Sequence, residues 1–141
     1  MFPDGIGVDY INNNSKNTLV EHLGIKILEL GKDFLIGFMP VDSRTKQPMG
    51  LLHGGASVVL SETLGSIGSN LITSIDNSNK YAVGLEINAN HVRAVKEGSV
   101  IGTAKSLHIG KKTHIWDIKI NNEQNKLVCV SRLTMSIIEI G

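Results

Sequence analysis

The stretch QPMGLLHGG, residues 47–55, runs directly into ASVVLSETLGS, residues 56–66, and together they decide the expected fold. The first part is dense in proline and glycine, which predicts a loop. Apolar residues then recur at the spacing of one helical face, at positions 60, 64, 67 and 71. The sequence therefore predicts a loop that opens a long helix.

Two polar residues lie off the apolar stripe of this helix. Glu62 lies about 200° around the helix axis from Leu60, and Ser66 lies one turn beyond Glu62. The rest of that row has small or medium side chains, at Gly55, Val59 and Ser69. We therefore expect another group to approach the carboxylate and the hydroxyl closely.

The size and composition of the chain predict one globular domain with its own core. The chain has 141 residues, of which 41% are apolar and 19% charged. Its formal net charge of +1 argues against nucleic acid or an anionic membrane as a partner. No run approaches the roughly 18 apolar residues of a membrane-spanning helix. Cys129 is the only cysteine and no signal-peptide pattern opens the chain, so we expect a cytoplasmic protein without an intramolecular disulfide.

The first third of the chain predicts a leader, a short helix and a hairpin. Residues 1–17 are rich in Gly, Asn and Asp, and we expect a loosely held leader without a core element. Residues 18–21 have the spacing of a capping box, which predicts a short helix that ends at Gly24. Residues 25–30 and 34–39 then predict two strands of a hairpin.

The second half of the chain predicts a β-sheet. A turn cluster at residues 76–80 follows the long helix, and the next segments are rich in β-branched and aromatic residues. Four strands are predicted, at residues 81–92, 99–107, 113–120 and 127–138. With the hairpin they make a six-stranded antiparallel sheet that can curl around the helix. The fold class is α+β, in a single domain over residues 18–141.

The order of these elements and several motifs resemble the hotdog-fold thioesterases, in which a curved antiparallel sheet wraps a central helix. The resemblance extends over roughly residues 18–138. It is closest to the bacterial acyl-CoA thioesterases that include the 1,4-dihydroxy-2-naphthoyl-CoA hydrolase of menaquinone synthesis and the proofreading thioesterase of enterobactin synthesis. The residues that carry it are PVDSRTKQP at 40–48, GLLHGGAS at 50–57, Glu62 and GLEINANHVR at 84–93.

The resemblance implies roles for five residues. Glu62 is the catalytic carboxylate, either as nucleophile or as the base that activates water. Gln47 and His53 position the thioester, the backbone N–H of Gly54 polarises its carbonyl, and Ser66 orients the water or the carboxylate. Active sites of this family lie at dimer interfaces, which implies a homo-oligomer, at least a dimer and expected to be a tetramer of two dimers.

The chemistry agrees with these roles. A thioester is an activated acyl group, and the amides at a helix N-terminus are unsatisfied donors with partial positive charge. No cofactor is expected. No metal is expected either, because four histidines, at positions 53, 91, 108 and 114, fall on separate elements without zinc spacing. Cys129 is interpreted as a core residue and Trp116 as a core or interface residue. The absence of G-x-S-x-G from the sequence disfavours a serine hydrolase.

The resemblance also implies a binding region for coenzyme A. The matching loops of the family meet the nucleotide and phosphates, for which Arg and Lys are suited. The corresponding residues here are His91, Arg93, Gly110, Lys111 and Lys112.

The sequence thus favours hydrolysis of acyl-CoA thioesters. Two alternatives stay open: a hotdog-fold hydratase or dehydratase, and a non-catalytic regulatory domain that binds acyl-CoA. The identity of the acyl group, and the choice between coenzyme A and an acyl-carrier protein as donor, are also open.

Overall fold

The computed structural model describes residues 1–76 and 79–141 and shows six strands and three α-helices in this part of the chain. The helices are α1 (Val8–Asn14), α2 (Leu19–His22) and α3 (Gly54–Thr73), and a 3₁₀ turn spans Ser74–Asp76. The strands are β1 (Lys26–Leu30), β2 (Phe34–Pro40), β3 (Lys80–His91), β4 (Ser99–Ile109), β5 (Thr113–Asn122) and β6 (Leu127–Glu139).

All six strands form one antiparallel sheet in the order β1-β2-β4-β5-β6-β3. The predicted α+β hotdog architecture is confirmed, with strand ends that differ from prediction by at most two residues. The predicted turn at 76–80 includes Asn77 and Ser78, which lie outside the described residues. Among the described residues, no helix has the length and apolar character needed to cross a bilayer.

Helix α3 packs across the sheet through its apolar stripe. Leu60 and Leu64 are fully buried, and Leu64 lies over two strand glycines, Gly37 in β2 and Gly102 in β4. A Cβ atom would lie 2.6 Å from a Leu64 methyl carbon at position 37 and 2.8 Å at position 102. Glycine at these two positions lets the helix sit close to the sheet.

The first 17 residues differ from the expected loosely held leader. They contain α1, whose Ile11 is only 6% exposed and belongs to the core. The Asn12 side chain makes two hydrogen bonds with the backbone of Ile27 in β1, donating to its carbonyl at 3.0 Å and accepting from its N–H at 2.8 Å. Tertiary contacts therefore fix a helix that its own seven residues are too few to stabilise.

The short helix begins and ends as predicted, but without the full capping box. Thr18 is the N-cap residue of α2, yet its hydroxyl donates to the carbonyl of Ser15 instead of capping the helix. The Glu21 carboxylate accepts from the N–H of Asn17, one residue before the expected donor. Gly24 follows the helix with a φ of +73°, as a C-terminal glycine does.

Ser69 also differs from expectation, because it is fully buried and not on an open face with Glu62. Its hydroxyl accepts a hydrogen bond from Trp116 Nε1 at 2.8 Å and lies 2.9 Å from His114 Nδ1. The curved sheet covers more of the helix than the apolar stripe alone. Residues at the margin of the polar row are therefore enclosed.

The two edge strands of the sheet differ in how they are covered. Edge strand β1 is covered by the Asn12 side chain of α1. The other edge, β3, is twelve residues long and exposes apolar side chains, with Leu85 65% exposed. A long apolar edge strand is a template for pairing with another chain.

Candidate active site

The N-terminus of α3 is shaped by the loop that precedes it. The backbone N–H of Gln47 donates to Leu51 at 2.8 Å, and Gly50 takes a φ of +81° in the turn between them. His53 is the N-cap residue, and its Nδ1 accepts from the N–H of Gly55 at 2.7 Å. The Gly54 N–H donates no hydrogen bond to any of the described residues. One helix amide is thus capped, while its neighbour keeps a free donor.

A cavity of about 420 Å³ opens beside this free amide. The structure brings four of the predicted site residues to its wall: Gln47, Gly54, His91 and Arg93. The His91 ring covers Gly54 so closely that a Cβ atom at position 54 would lie 2.9 Å from His91 Nε2. Glycine at this position keeps the amide accessible. The wall of the cavity thus contains a backbone N–H donor from Gly54, the side-chain amide of Gln47, the imidazole of His91 and the guanidinium of Arg93.

Glu62 and Ser66 line a second cavity, of about 340 Å³. The remaining lining residues come from α2 and α3 and are mostly apolar: Leu19, Val20, Val59, Thr63 and Ile67. Ser66 donates a weak hydrogen bond to the sulfur of Met135 at 3.7 Å. Glu62 is partly buried, and its carboxylate lies against Gly84 of β3.

The two groups of predicted catalytic residues are separate within one chain. Glu62 follows Gly54 by eight residues, which is about 12 Å along the helix axis. They also line different cavities. One chain alone therefore does not place the carboxylate and the free amide on the same carbonyl group.

The predicted phosphate-binding residues are also divided within one chain. Arg93 lines the cavity beside Gly54, and its Nε donates to the carbonyl of Leu127 at 3.2 Å. Gly110, Lys111 and Lys112 form the turn between β4 and β5, at the opposite end of the sheet. The length of β5, ten residues, separates this turn from Arg93 by roughly 30 Å.

Two titratable groups of the described residues, His114 and Cys129, are buried in the core and line neither cavity. His114 is 2% exposed, and burial lowers its pKa below the usual value for histidine. Burial also raises the pKa of the Cys129 thiol, which is fully enclosed. Trp116 is fully buried as well, so Cys129 and Trp116 are core residues as predicted.

Two residues that connect α3 with β3 had no role assigned from the sequence. Gly84 is one, because a Cβ atom there would overlap Glu62 Oε1. Asn70 is the other: its side-chain amide donates to the carbonyls of Ser66 and Ala82, both at 3.0 Å, and its oxygen accepts from the N–H of Ala82 at 2.8 Å. It thereby ties α3 to β3. For Gly84, the available signal was a glycine inside a predicted strand. For Asn70, the sequence pattern gave no signal.

Comparison with known proteins assigns this chain to a class. Residues 49–129 match the Thioesterase superfamily. The chain is 48% identical to the 1,4-dihydroxy-2-naphthoyl-CoA hydrolase of Escherichia coli, over 94% of this chain and 96% of that protein. It is also 48% identical to a proofreading thioesterase of Cronobacter turicensis, over 92% of this chain and 93% of that protein.

A solved structure supports the same assignment. The crystal structure of a thioesterase from Haemophilus influenzae superposes with a TM-score of 0.92 at 44% identity, covering 98% of this chain and 94% of that one. The chain belongs to the thioesterase superfamily. It is a thioester hydrolase, and the resemblance stated from its motifs is confirmed.

Proposed function

We propose that this protein hydrolyses acyl-CoA thioesters at a site completed by two subunits. One subunit supplies the Gly54 amide with Gln47 and His53, and the other supplies Glu62 with Ser66. The observation that carries the proposal is the free Gly54 N–H at the start of a 20-residue helix, beside the cavity lined by Gln47 and Arg93.

The Gly54 amide suits the charge that develops during thioester hydrolysis. Attack on the carbonyl carbon moves negative charge onto the carbonyl oxygen, where a preorganised N–H donor stabilises it. The dipole of α3 adds a positive potential at the same place. His53 supports this arrangement because its Nδ1 is occupied by the Gly55 N–H, so the ring keeps a proton on Nε2 when neutral.

The Glu62 carboxylate is the group that starts the reaction. Two routes lead to the same products: it attacks the carbonyl carbon to form a mixed anhydride, or it removes a proton from the attacking water. In both, the tetrahedral intermediate collapses, the C–S bond breaks and the thiolate leaves. In the first route, water then hydrolyses the anhydride, which releases the acid and restores the Glu62 carboxylate; in the second, the acid forms directly. Ser66, one turn further along α3, is placed to orient the carboxylate or the water.

A pairing of two β3 edges would complete the shared site. Glu62 lies over Gly84, and Gly54 lies under His91. An antiparallel twofold pairing centred between Ile87 and Asn88 would set Gly84 of one strand opposite His91 of the other. The partner's Glu62 would then approach Gly54. Such a pairing would also cover the exposed apolar residues of this edge.

Coenzyme A is the proposed donor because of the cations near the site. Arg93 lines the cavity with Gly54, and the same pairing would carry the partner's Lys111 and Lys112 toward that end of the sheet. These groups suit phosphates. A tetramer, a role in menaquinone synthesis and a cytoplasmic location stay predictions.

A thiol-release assay with a panel of aryl- and alkyl-CoA thioesters tests the proposal. Glu62→Gln is nearly isosteric and removes the charge, so it should leave folding intact and abolish most turnover. Residual activity within about tenfold of wild type, a barrier change of only about 1.4 kcal/mol, would exclude Glu62 as the catalytic carboxylate. A thioester of a carrier protein, assayed in parallel, distinguishes the two kinds of donor.

A further inference from the structure

We propose that the cavity between α1 and α3 binds the far end of the substrate's acyl group, and that this group is an unbranched aliphatic chain. The inference rests on the proposed function, because it takes Glu62 as the place where the acyl carbonyl reacts. It gives the first 17 residues a role in substrate selection.

The cavity has a volume of about 350 Å³ and lies against the C-terminal half of α3. None of its lining side chains carries a charge, which makes it unsuited to phosphates. The lining residues are Ile6, Tyr10, Ile11, Asn14 and Ser15 from the N-terminal segment and Ile67, Asn70, Leu71 and Ser74 from the α3 side.

Most polar groups in this wall already have partners within the protein. Ser15 donates to the carbonyl of Ile11 at 3.2 Å, and Ser74 donates to that of Leu71 at 2.7 Å. The Asn70 amide is engaged with β3 and with its own helix. The cavity therefore offers an occupant few hydrogen bonds, and an apolar occupant loses least on entering it.

The cavity is adjacent to the one that holds Glu62, because Ile67 lines both. Glu62 and Ser74 are twelve residues apart, so the two cavities together follow α3 for about 18 Å. A fused aromatic ring system is shorter than this path and would leave the far cavity empty. A linear chain that starts at Glu62 can follow the helix through both.

The outer wall is fixed in place. Ile11 is buried in the core, and Asn12 holds α1 to Ile27 with two hydrogen bonds. Tyr10, on the same short helix, is 57% exposed and lines the cavity at the surface.

The test measures kcat/KM for saturated acyl-CoA thioesters from butyryl to palmitoyl. With the wild type, kcat/KM should rise with chain length, by up to about fourfold for each methylene that enters the cavity. Asn14→Trp fills the cavity from an exposed position and should lower kcat/KM for palmitoyl-CoA by at least about tenfold, with butyryl-CoA unchanged. Asn13→Trp is the matched control, since Asn13 is exposed and does not line the cavity.

A second variant and a binding measurement keep the test independent of folding defects and of turnover. Tyr10→Ala removes one wall and should also reduce the preference for long chains. Isothermal titration of Glu62→Gln with the same thioesters should show the same dependence on chain length.

The outcomes distinguish failure of the acyl-chain inference from failure of the proposed hydrolase function. Equal kcat/KM at all lengths, or an equal loss for butyryl- and palmitoyl-CoA in Asn14→Trp, overturns the acyl-chain inference and leaves the hydrolase intact. A change of oligomeric state in Asn14→Trp with unchanged chain selectivity would overturn it too, because a second subunit would then fill the cavity. A wild type that hydrolyses no acyl-CoA of any length defeats the proposed function together with the inference.

Discussion

The Glu62 carboxylate lies against the backbone of Gly84, where a Cβ atom would overlap Oε1. The close approach holds a charged side chain of α3 against β3, so a methyl group at position 84 must displace it. Only the end of a flexible side chain has to move, and alanine suits a strand better than glycine.

We therefore expect Gly84→Ala to lower kcat at least about tenfold while the free energy of unfolding changes by less than about 1 kcal/mol. Steady-state kinetics and urea denaturation measure the two effects. Gly7→Ala is the control, because its added Cβ would come within 4 Å of no described residue apart from its chain neighbours. Wild-type kcat in Gly84→Ala would show that the position of Glu62 beside β3 is irrelevant to turnover.

His53 is expected to act both as a helix cap and as a positioning residue. His53→Ala leaves the Gly55 N–H without its acceptor and should cost about 1 kcal/mol of stability. It should also lower kcat/KM, though less than Glu62→Gln does. His53→Asn can restore the cap, so it should recover the urea midpoint but not the activity. If His53→Asn recovered both the urea midpoint and kcat/KM, His53 would act only as a helix cap.

His114 should make stability depend on pH. Its pKa is lowered in the folded protein by burial, whereas in the unfolded chain it lies near about 6.5. As the pH falls toward about 6.5, His114 therefore binds a proton in the unfolded chain before it does so in the folded protein. The free energy of unfolding then decreases with falling pH until the pH passes the lowered pKa of His114 in the folded protein. Electrostatic interaction with His108 acts on the His114 pKa in the same direction.

Urea midpoints between about pH 8 and pH 5 should fall less steeply for His114→Gln than for the wild type. Asp42 contributes only at lower pH, because Arg44 holds the pKa of its carboxyl below the usual value. Parallel pH profiles for the two proteins would show that His114 does not titrate on unfolding.

The cations proposed for coenzyme A should affect binding more than turnover. Arg93→Ala, and Lys111→Ala combined with Lys112→Ala, should raise KM for acyl-CoA with little change in kcat, and added salt should have a similar effect on the wild type. Lys119→Ala is the control on the exposed face of β5. Kinetics of the double lysine variant that match the wild type at low salt would mean that these lysines are only solvated.

The sequence was sufficient for the fold because its local signals agree with one another. The glycine-rich loop before α3, the apolar spacing within it and four β-rich segments all favour the same architecture, and the strands form close to where they were predicted. The N-terminal segment was predicted poorly. Its helix depends on Ile11 entering the core and Asn12 binding Ile27, and both contacts are with residues distant in sequence.

The arrangement of the candidate site residues could not be predicted from the sequence. The motif pointed to Glu62 and Gly54, whereas only the structure shows that they line different cavities in one chain. Ser69 illustrates the same limit: helical periodicity placed it beside Glu62, and the curvature of the sheet buries it against Trp116. Curvature arises from contacts among all strands, so no local pattern reports it.

Subunit complementation tests the shared site most directly. Glu62→Gln and the double variant Gln47→Ala/His53→Ala are co-expressed with different affinity tags, and the doubly tagged oligomer is isolated. Each parent should be nearly inactive, while a mixed dimer should contain one intact site and regain thiol release well above both parents. A doubly tagged oligomer no more active than its parents, or a fully active species of 15.2 kDa in sedimentation velocity, would contradict a site shared between subunits.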